Sequence, residues 1–544
     1  MKLTLVLALL AQANGIYGQA VDANGITLYE KIEEMERQIL QPFTLNSLVS
    51  PCSNNQNGPP EEQEQTAAQW VRILFHDVIT KNVEGPGLGG LDASIGFETD
   101  RPENIGQFAN ITLIQFALFS SVFLSMADLI ALGVSDSLAT CDQPLARRIP
   151  LRVGRIDATR AGPAGVPGPA DSLAFAQTAF TRAGFTNSEM IQAVACGHSL
   201  GGVHQTNFPD IVPESQKTPE NTEGRSTFDS TPNVFDNTGV NEYISGVGLK
   251  GGPLVVGANE TTRSDLRIFK SDNNVTINAM NTPGSFEQTC LNIFEKMSNT
   301  VPSGVTLSAP IVPRPWIMRE SHLDLTPLGI VTFQGTISAH GATEPPATAS
   351  YFYGTEGGGN TGPKTSQTGA AIPIFRNTQI GFGTIKDYAF FDTFNSPTIQ
   401  TINVQGQYSA PINLNIFLLP SQTFTLPVRD GPGGAVLTNR YLVRAAVKGS
   451  LVTAGSTVSA TLWYPTTQQG SVVPKIATLI TTLTLEKTVG PYKIFKAVII
   501  QPGAVVIFGG AHFFQIKLGT TQTSAKISSI VFNTTCTAPD PSGC

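Results

Sequence analysis

The feature that most constrains this chain's fold is a change of texture between residues 300 and 315. Upstream, apolar residues recur at helical spacing, as at Leu28, Ile32, Met35 and Ile39. Downstream of Pro302, short Thr/Val/Ile-rich runs alternate with Gly, Pro and Asn turns, over 331–337, 399–404, 452–464, 477–486, 497–500, 505–508 and 527–532. That second texture is the signature of an all-β sandwich or barrel. At 544 residues one core is not enough, and two or more domains are expected. The reading is therefore a leader over 1–20, an all-α region over 21–305 and an all-β, sandwich-like region over 306–544. No internal repeat of fixed period interrupts either part.

Charge and targeting signals narrow the setting. Only 14% of residues are charged and the formal net charge is −7, which argues against nucleic acid as a partner. Residues 1–20 combine Lys2, an apolar run and small residues near Ala20, the pattern of a secretory signal. No later run of about twenty apolar residues predicts a membrane span. Sequons at Asn110, Asn259, Asn274 and Asn533 fit a secreted, extracellular glycoprotein. The six cysteines allow fifteen pairings, of which Cys536 with Cys544 is the simplest local one. No C-x-x-C pair supports zinc or thioredoxin chemistry.

Two readings compete for Ser188–Gly202. Gly197-His198-Ser199-Leu200-Gly201 matches the G-x-S-x-G nucleophile elbow, with Ser199, Asp272 and His322 in hydrolase order. An elbow needs a parallel sheet beneath it, however, and the region shows no alternation of strands and helices. In the other reading, a helix over 189–196 delivers His198 to haem iron. Elsewhere Arg72 and His76 stand four apart, on one face of a helix over 61–79, with Asp77 rotated roughly 100° away. Splitting a peroxide at iron needs an axial ligand on one side, and a base and a cation on the other. His198, His76 and Arg72 supply these. Asn104 accepts from His76 Nδ1, leaving Nε2 free, and Asp272 is the candidate carboxylate behind His198.

With those residues in place the chain resembles the plant, fungal and bacterial haem peroxidase superfamily over roughly 40–300, in particular its secreted fungal members. The resemblance rests on Arg72-Ile73-Leu74-Phe75-His76-Asp77, Gly89-Gly90-Leu91-Asp92-Ala93-Ser94, Asn104, Ala195-Cys196-Gly197-His198-Ser199 and Asp272. It implies haem b held by His198, with Asp272 and Phe228 beside it, and catalysis by His76, Arg72, Asn104 and Phe75. It also implies two calcium ions. One would be held by Asp77, Gly90, Asp92 and Ser94, the other by Ser199, Asp229, Thr231, Val234 and Asp236; oxygen donors of this kind suit calcium. The implied reaction reduces hydrogen peroxide and oxidises small, phenolic donors in one-electron steps. Cys52–Cys141 matches a family disulfide, and Cys196–Cys290 is the remaining guess. Family members that oxidise manganese carry acids where this chain has Gln65, Gln69 and His204, and Ala193 replaces a surface tryptophan. Phe228 stands where other members have a radical-bearing tryptophan. A haem fold used for binding or adhesion, motivated by the large β region, is a further alternative.

Overall fold

The computed structural model describes residues 21–40, 45–55, 64–82, 89–282, 284–341, 343–371, 383–394, 398–429, 436–502, 512–520 and 522–528. The leader-like stretch, Asn533, Cys536, Cys544 and the run 505–508 lie outside the described residues. Among the helices of the N-terminal region are α1 (Leu28–Leu40), α2 (Thr66–Val78), α3 (Phe108–Ala117), α4 (Met126–Cys141), α5 (Leu173–Arg182), α6 (Asn187–Gly197), α7 (Ser264–Phe269) and α8 (Ser285–Asn299).

Helix α4 has no solvent face, since every residue from Met126 to Cys141 is buried. Its first amides are satisfied by side chains. Ser125 Oγ accepts Asp128 N at 3.0 Å, and the Asp157 carboxylate accepts Met126 N and Ala127 N, each at 2.9 Å. Against it packs α2, whose Trp70, Ile73 and Leu74 are fully buried. Gly133 permits that approach: a Cβ there would lie 2.6 Å from Phe116 Cζ and 3.2 Å from the Trp70 ring. The apolar side of α2 is thus spent on α4, and Arg72 and His76 are left for the opposite side.

Helix α6 is pinned at both ends to α8. Thr186 caps it in a reciprocal box with Glu189. Glu189 also takes Lys296 of α8, and the Cys196–Cys290 disulfide joins the other end to α8. Cys52–Cys141 ties the end of α4 to the segment before α2. A small antiparallel hairpin, β1 (Gly202–His204) with β2 (Arg225–Thr227), follows α6 directly.

Strand structure takes over at Trp316, beyond the expected 305/306 boundary. Residues 300–311 still belong to the helical side, with Leu91 N donating to Thr300 O (2.7 Å), Ser308 N to Val153 O (2.9 Å) and Ile311 N to Leu151 O (2.8 Å). The C-terminal strands are β3 (Trp316–Leu325), β4 (Val331–Gly341), β5 (Ser350–Thr355), β6 (Thr384–Phe394), β7 (Ile399–Val404), β8 (Tyr408–Pro411), β9 (Ile416–Leu418), β10 (Phe424–Arg429), β11 (Val436–Lys448), β12 (Val458–Thr466), β13 (Lys475–Val489), β14 (Tyr492–Ile500) and β15 (Phe513–Leu518). All pairings among them are antiparallel. One sheet runs β3-β4-β6 and another β8-β7-β5, each extended by a two-residue strand. Their inward residues, Phe333 and Phe390 from one and Tyr353 and Ile402 from the other, share a core, as in a sandwich. The largest sheet runs β9-β11-β14-β13-β12-β15 and curls until β9 returns against β15 around a core of its own.

The two regions are not separately cored. Ile317, Ile385, Trp463, Val473 and Phe513 join the continuous apolar core of the helices, with the Phe123 and Phe513 rings 4.7 Å apart. Arg314, just before β3, reaches α1: its Nε donates to Glu36 Oε2 at 2.9 Å and Nη1 to Tyr29 Oη at 3.0 Å. Lys526 likewise pairs with Glu30. Glu36 is only 2% exposed, so Arg314→Ala strands a buried carboxylate. That substitution is expected to cost about 2–4 kcal/mol in urea unfolding, against about 1 kcal/mol or less for disruption of the exposed Arg263–Glu260 pair.

Candidate functional site

A cavity of about 300 Å³ opens between α2 and α6, a size typical of small-molecule and cofactor sites. Arg72, His76 and Phe108 line one side, and Ala193, His198 and Phe228 the other. On the α2 side, His76 Nδ1 donates to Asn104 Oδ1 at 2.7 Å, and Asn104 Nδ2 donates to Glu98 O at 2.9 Å. With Nδ1 carrying the proton, Nε2 is an acceptor, and Arg72 Nε approaches it at 3.4 Å. Burial, reinforced by the Arg72 charge, pushes the His76 pKa down to about 3. Desolvation lowers the Arg72 pKa to about 10, so its guanidinium stays charged at neutral pH. Phe75 stands edge-on to His76. Phe108 was not singled out from the sequence, yet its ring lies 3.8 Å beneath the Arg72 guanidinium and edge-on to His76. Its only signal is an aromatic opening α3, four residues after Asn104.

On the α6 side, His198 ends the helix, stacked on Phe228 with ring centroids 4.4 Å apart and 13° between planes. Its Nδ1 donates to Asp265 Oδ2 at 2.6 Å. This corrects the sequence reading, which put Asp272 behind His198. Asp272 is instead a cap: its Oδ2 accepts Thr276 N (2.9 Å) and Thr276 Oγ1 (2.6 Å) at the start of the short helix Val275–Ala279. The local sequence explains the difference. Asp272-Asn273-Asn274 forms a turn with left-handed backbone at both asparagines, the habit of Asx residues. Asp265 opens α7, whose buried Ile268 and Phe269 fix it against α6, and Ser264 Oγ holds its other oxygen at 3.0 Å.

The two oxygen-donor sets differ. In the first, Asp77 Oδ2 accepts Asp92 N and Ala93 N (2.9 and 2.8 Å), while Oδ1 accepts Ile95 N (2.9 Å) and, at 3.4 Å, Ser94 Oγ. Asp92 Oδ1 accepts Ser94 N, and Gly90, at φ +99°, passes so close to Thr300 O that a Cβ would lie 2.8 Å from it. Burial raises the pKa of Asp77 and of Asp92. In the second, Asp229 Oδ1 accepts Thr231 N (2.8 Å), and Thr231 Oγ1 donates to Asp236 Oδ1 (3.2 Å). Asp229 Oδ2 is buried with no hydrogen-bond partner, and burial with Asp236 and Glu242 nearby pushes that carboxyl up to about 7. Val234 N donates to Thr231 O in the same turn. Ser199 is 2% exposed and its Oγ donates to Cys196 O at 2.8 Å. Among the described residues, no group of three or more His, Cys, Asp or Glu side chains converges as a metal site by itself.

The hydrolase reading fails on this geometry. Ser199 bonds a backbone carbonyl, Asp272 caps a helix, and His322 lies on β3 with Gln334 Nε2 at 2.8 Å from its Nε2. Among the described residues, no parallel sheet lies under α6.

A family model described as peroxidase matches residues 56–280. The helical region belongs to the haem peroxidase superfamily. Among relatives of the haem peroxidase region, a putative L-ascorbate peroxidase 6 of Arabidopsis thaliana is 31% identical over 25% of this chain and 41% of its own length. Peroxidase 44 of the same plant is 25% identical over 28% of this chain and 50% of its own. A WSC domain-containing protein of Arthroderma benhamiae is 34% identical over 82% of this chain, including much of the β region, and 59% of its own length. The chain thus spans less than two thirds of each of these relatives. Asp265 and Asp272 are separable by mutation. Asp265→Ala is expected to weaken haemin affinity, read by absorbance titration, by about tenfold or more. Asp272→Ala should leave haemin affinity unchanged and cost about 1 kcal/mol of stability.

Proposed function

We propose that this chain is a secreted haem peroxidase that reduces hydrogen peroxide and oxidises small, phenolic donors by single electrons. The observation that carries this is one cavity flanked by a neutral, amide-held histidine beside an arginine and, opposite, a histidine held by a buried carboxylate. The residues fit haem b: an apolar-walled cavity, a ring stack on Phe228 and an imidazole whose Nε2 remains free once Asp265 has taken Nδ1. His198 would hold the iron, and haem when bound supplies the redox-active metal that the side chains lack. Asp265 makes the His198 imidazole a stronger donor. His76 Nε2 takes the proton from the near oxygen of peroxide and returns it to the far one, so that water leaves. Arg72 stabilises the negative charge that develops on the departing oxygen. Phe75 and Phe108 keep water from the imidazole.

His76→Ala is expected to retain haem and to slow the reaction with peroxide by about 10²-fold or more, measured by stopped flow. Arg72→Leu should slow it to a similar degree. The pH dependence follows from the lowered His76 pKa. The imidazole stays neutral as pH falls through 6.5, and it is lost as a base only near pH 3. The linked stability is present above about 6.5 and declines as pH drops towards 3, because the unfolded chain binds the proton first. A peroxide rate that is flat from pH 7 to about 4.5 and then falls is the expected profile.

A calcium ion is proposed for the second donor set, where the unpartnered Asp229 Oδ2 and the raised carboxyl are the conditions a cation relieves. Asp236, Thr231, Ser199 and the Val234 carbonyl complete the oxygen donors. In the first set Asp77 and Asp92 are raised by burial as well, but Asp77 already accepts three backbone amides and Ser94 Oγ, so the relief a calcium ion would bring there is smaller. Chelator is expected to lower the Tm of the wild type by several degrees and to leave Asp229→Ala unaffected. Two disulfides and exposed Asn259 support secretion. No described helix is long and apolar enough to cross a membrane.

A further inference from the structure

The connection between β12 and β13, residues 467–474, leaves the C-terminal region and docks on the helical one. Val472 N donates to Gly96 O at 3.0 Å, and Val473, 2% exposed, is part of the helical core. The contact is tight at Gly96: a Cβ added there would sit 2.4 Å from Val473 Cγ2 and 2.9 Å from Ser471 Oγ. The connection is also set in shape before it docks. Ser471 Oγ accepts Val473 N at 3.1 Å, and Gln468 Nε2 donates to Val473 O at 3.0 Å.

Gly96 lies in the single turn Ser94–Phe97, and that turn adjoins His76 along two routes. Ile95 N donates to Asp77, the next residue on α2. Glu98 N closes the turn on Ile95 O, and Glu98 O accepts Asn104 Nδ2, whose Oδ1 takes the His76 Nδ1 proton. The place of the Glu98 carbonyl therefore sets the plane of the Asn104 amide, and the amide sets the imidazole. Glu98 is fixed on its other side by Gly162 N at 2.7 Å and by Arg101, so the turn is held from the helical side as well. The Val472–Val473 contact supports the turn from the C-terminal region.

We propose that Val473, with the Val472 amide, is a positioning element for His76: the β region buttresses the 94–98 turn against which Asn104 and His76 are oriented. Val473 touches neither the cavity nor any group that would react. It acts through Gly96, Glu98 and Asn104, which makes the β region part of the catalytic unit and not a detachable module. This rests on His76 being the proton carrier proposed above. The Phe123–Phe513 contact offers an internal comparison, since it spans the same interface and leads to none of these hydrogen bonds.

The test uses the full-length, haem-loaded protein with Val473→Ala, Val473→Ile, Phe513→Ala and Asn104→Ala, and the double variant Val473→Ala/Asn104→Ala. Two quantities are read: deuterium uptake of the 94–104 segment by mass spectrometry, and the stopped-flow rate with peroxide. Val473→Ala should raise uptake in 94–104 and slow the peroxide reaction about tenfold, since a misplacement of about 1 Å can cost about 100-fold. Val473→Ile should restore both. On the Asn104→Ala background, Val473→Ala should add less than about twofold, because both act through one link. Phe513→Ala should lower the Tm without changing either readout. Unchanged uptake in 94–104, full additivity with Asn104→Ala, or an equal effect of Phe513→Ala would each overturn the proposal. If the wild type does not react with peroxide, the functional reading fails, and the exchange data still decide whether the buttress exists.

Discussion

The His76 and His198 imidazoles, on opposite sides of the cavity, are each committed through Nδ1 to a buried oxygen, and the rest of the helical region is arranged to keep those two bonds. The partners differ in kind. His76 gives its proton to a neutral amide, whose pull towards imidazolium is outweighed by burial and by Arg72. His198 gives its proton to a carboxylate, which enriches the ring as a donor. One histidine is thereby kept as a base and the other as a ligand, although both are the same residue on similar helices. The supports follow from this division. Helix α4 backs α2, the disulfide and the Glu189–Lys296 pair hold α6 to α8, and α7 carries Asp265 into place.

What was legible in the chain was what is local. Arg72 and His76 share a face because they are one helical turn apart, and the motif around each histidine is contiguous. The cap of α6 is equally local, since Thr186 and Glu189 form it three residues apart. Asp265 was missed because its role depends on where α7 packs, and the nearby Asp-Asn-Asn turn offered a more conspicuous carboxylate. Phe108 was missed for the same reason: its contact with Arg72 depends on how α3 packs across α2. In the β region, runs such as 399–404 were visible from alternation. Long strands such as β3 and β11 were not, because Arg, Glu, His and Asn residues interrupt their apolar pattern and only sheet pairing makes them continuous.

The boundary between the regions shows how texture and packing can part company. Composition changes soon after Pro302, yet the chain stays against Leu151 and Val153 until Ile311, and Arg314 then returns to α1. The shared apolar core and these ionic contacts make the β region a wall of the helical one, and the similarity to the Arthroderma protein likewise runs across both.

The central claim is that the cavity holds haem through His198, and haemin titration of the full-length chain tests it most directly. The account predicts one equivalent bound with an intense Soret band in the wild type and in His76→Ala, and affinity reduced by about 100-fold or more in His198→Ala. Equal binding by wild type and His198→Ala, or no stoichiometric binding by the wild type, would contradict it.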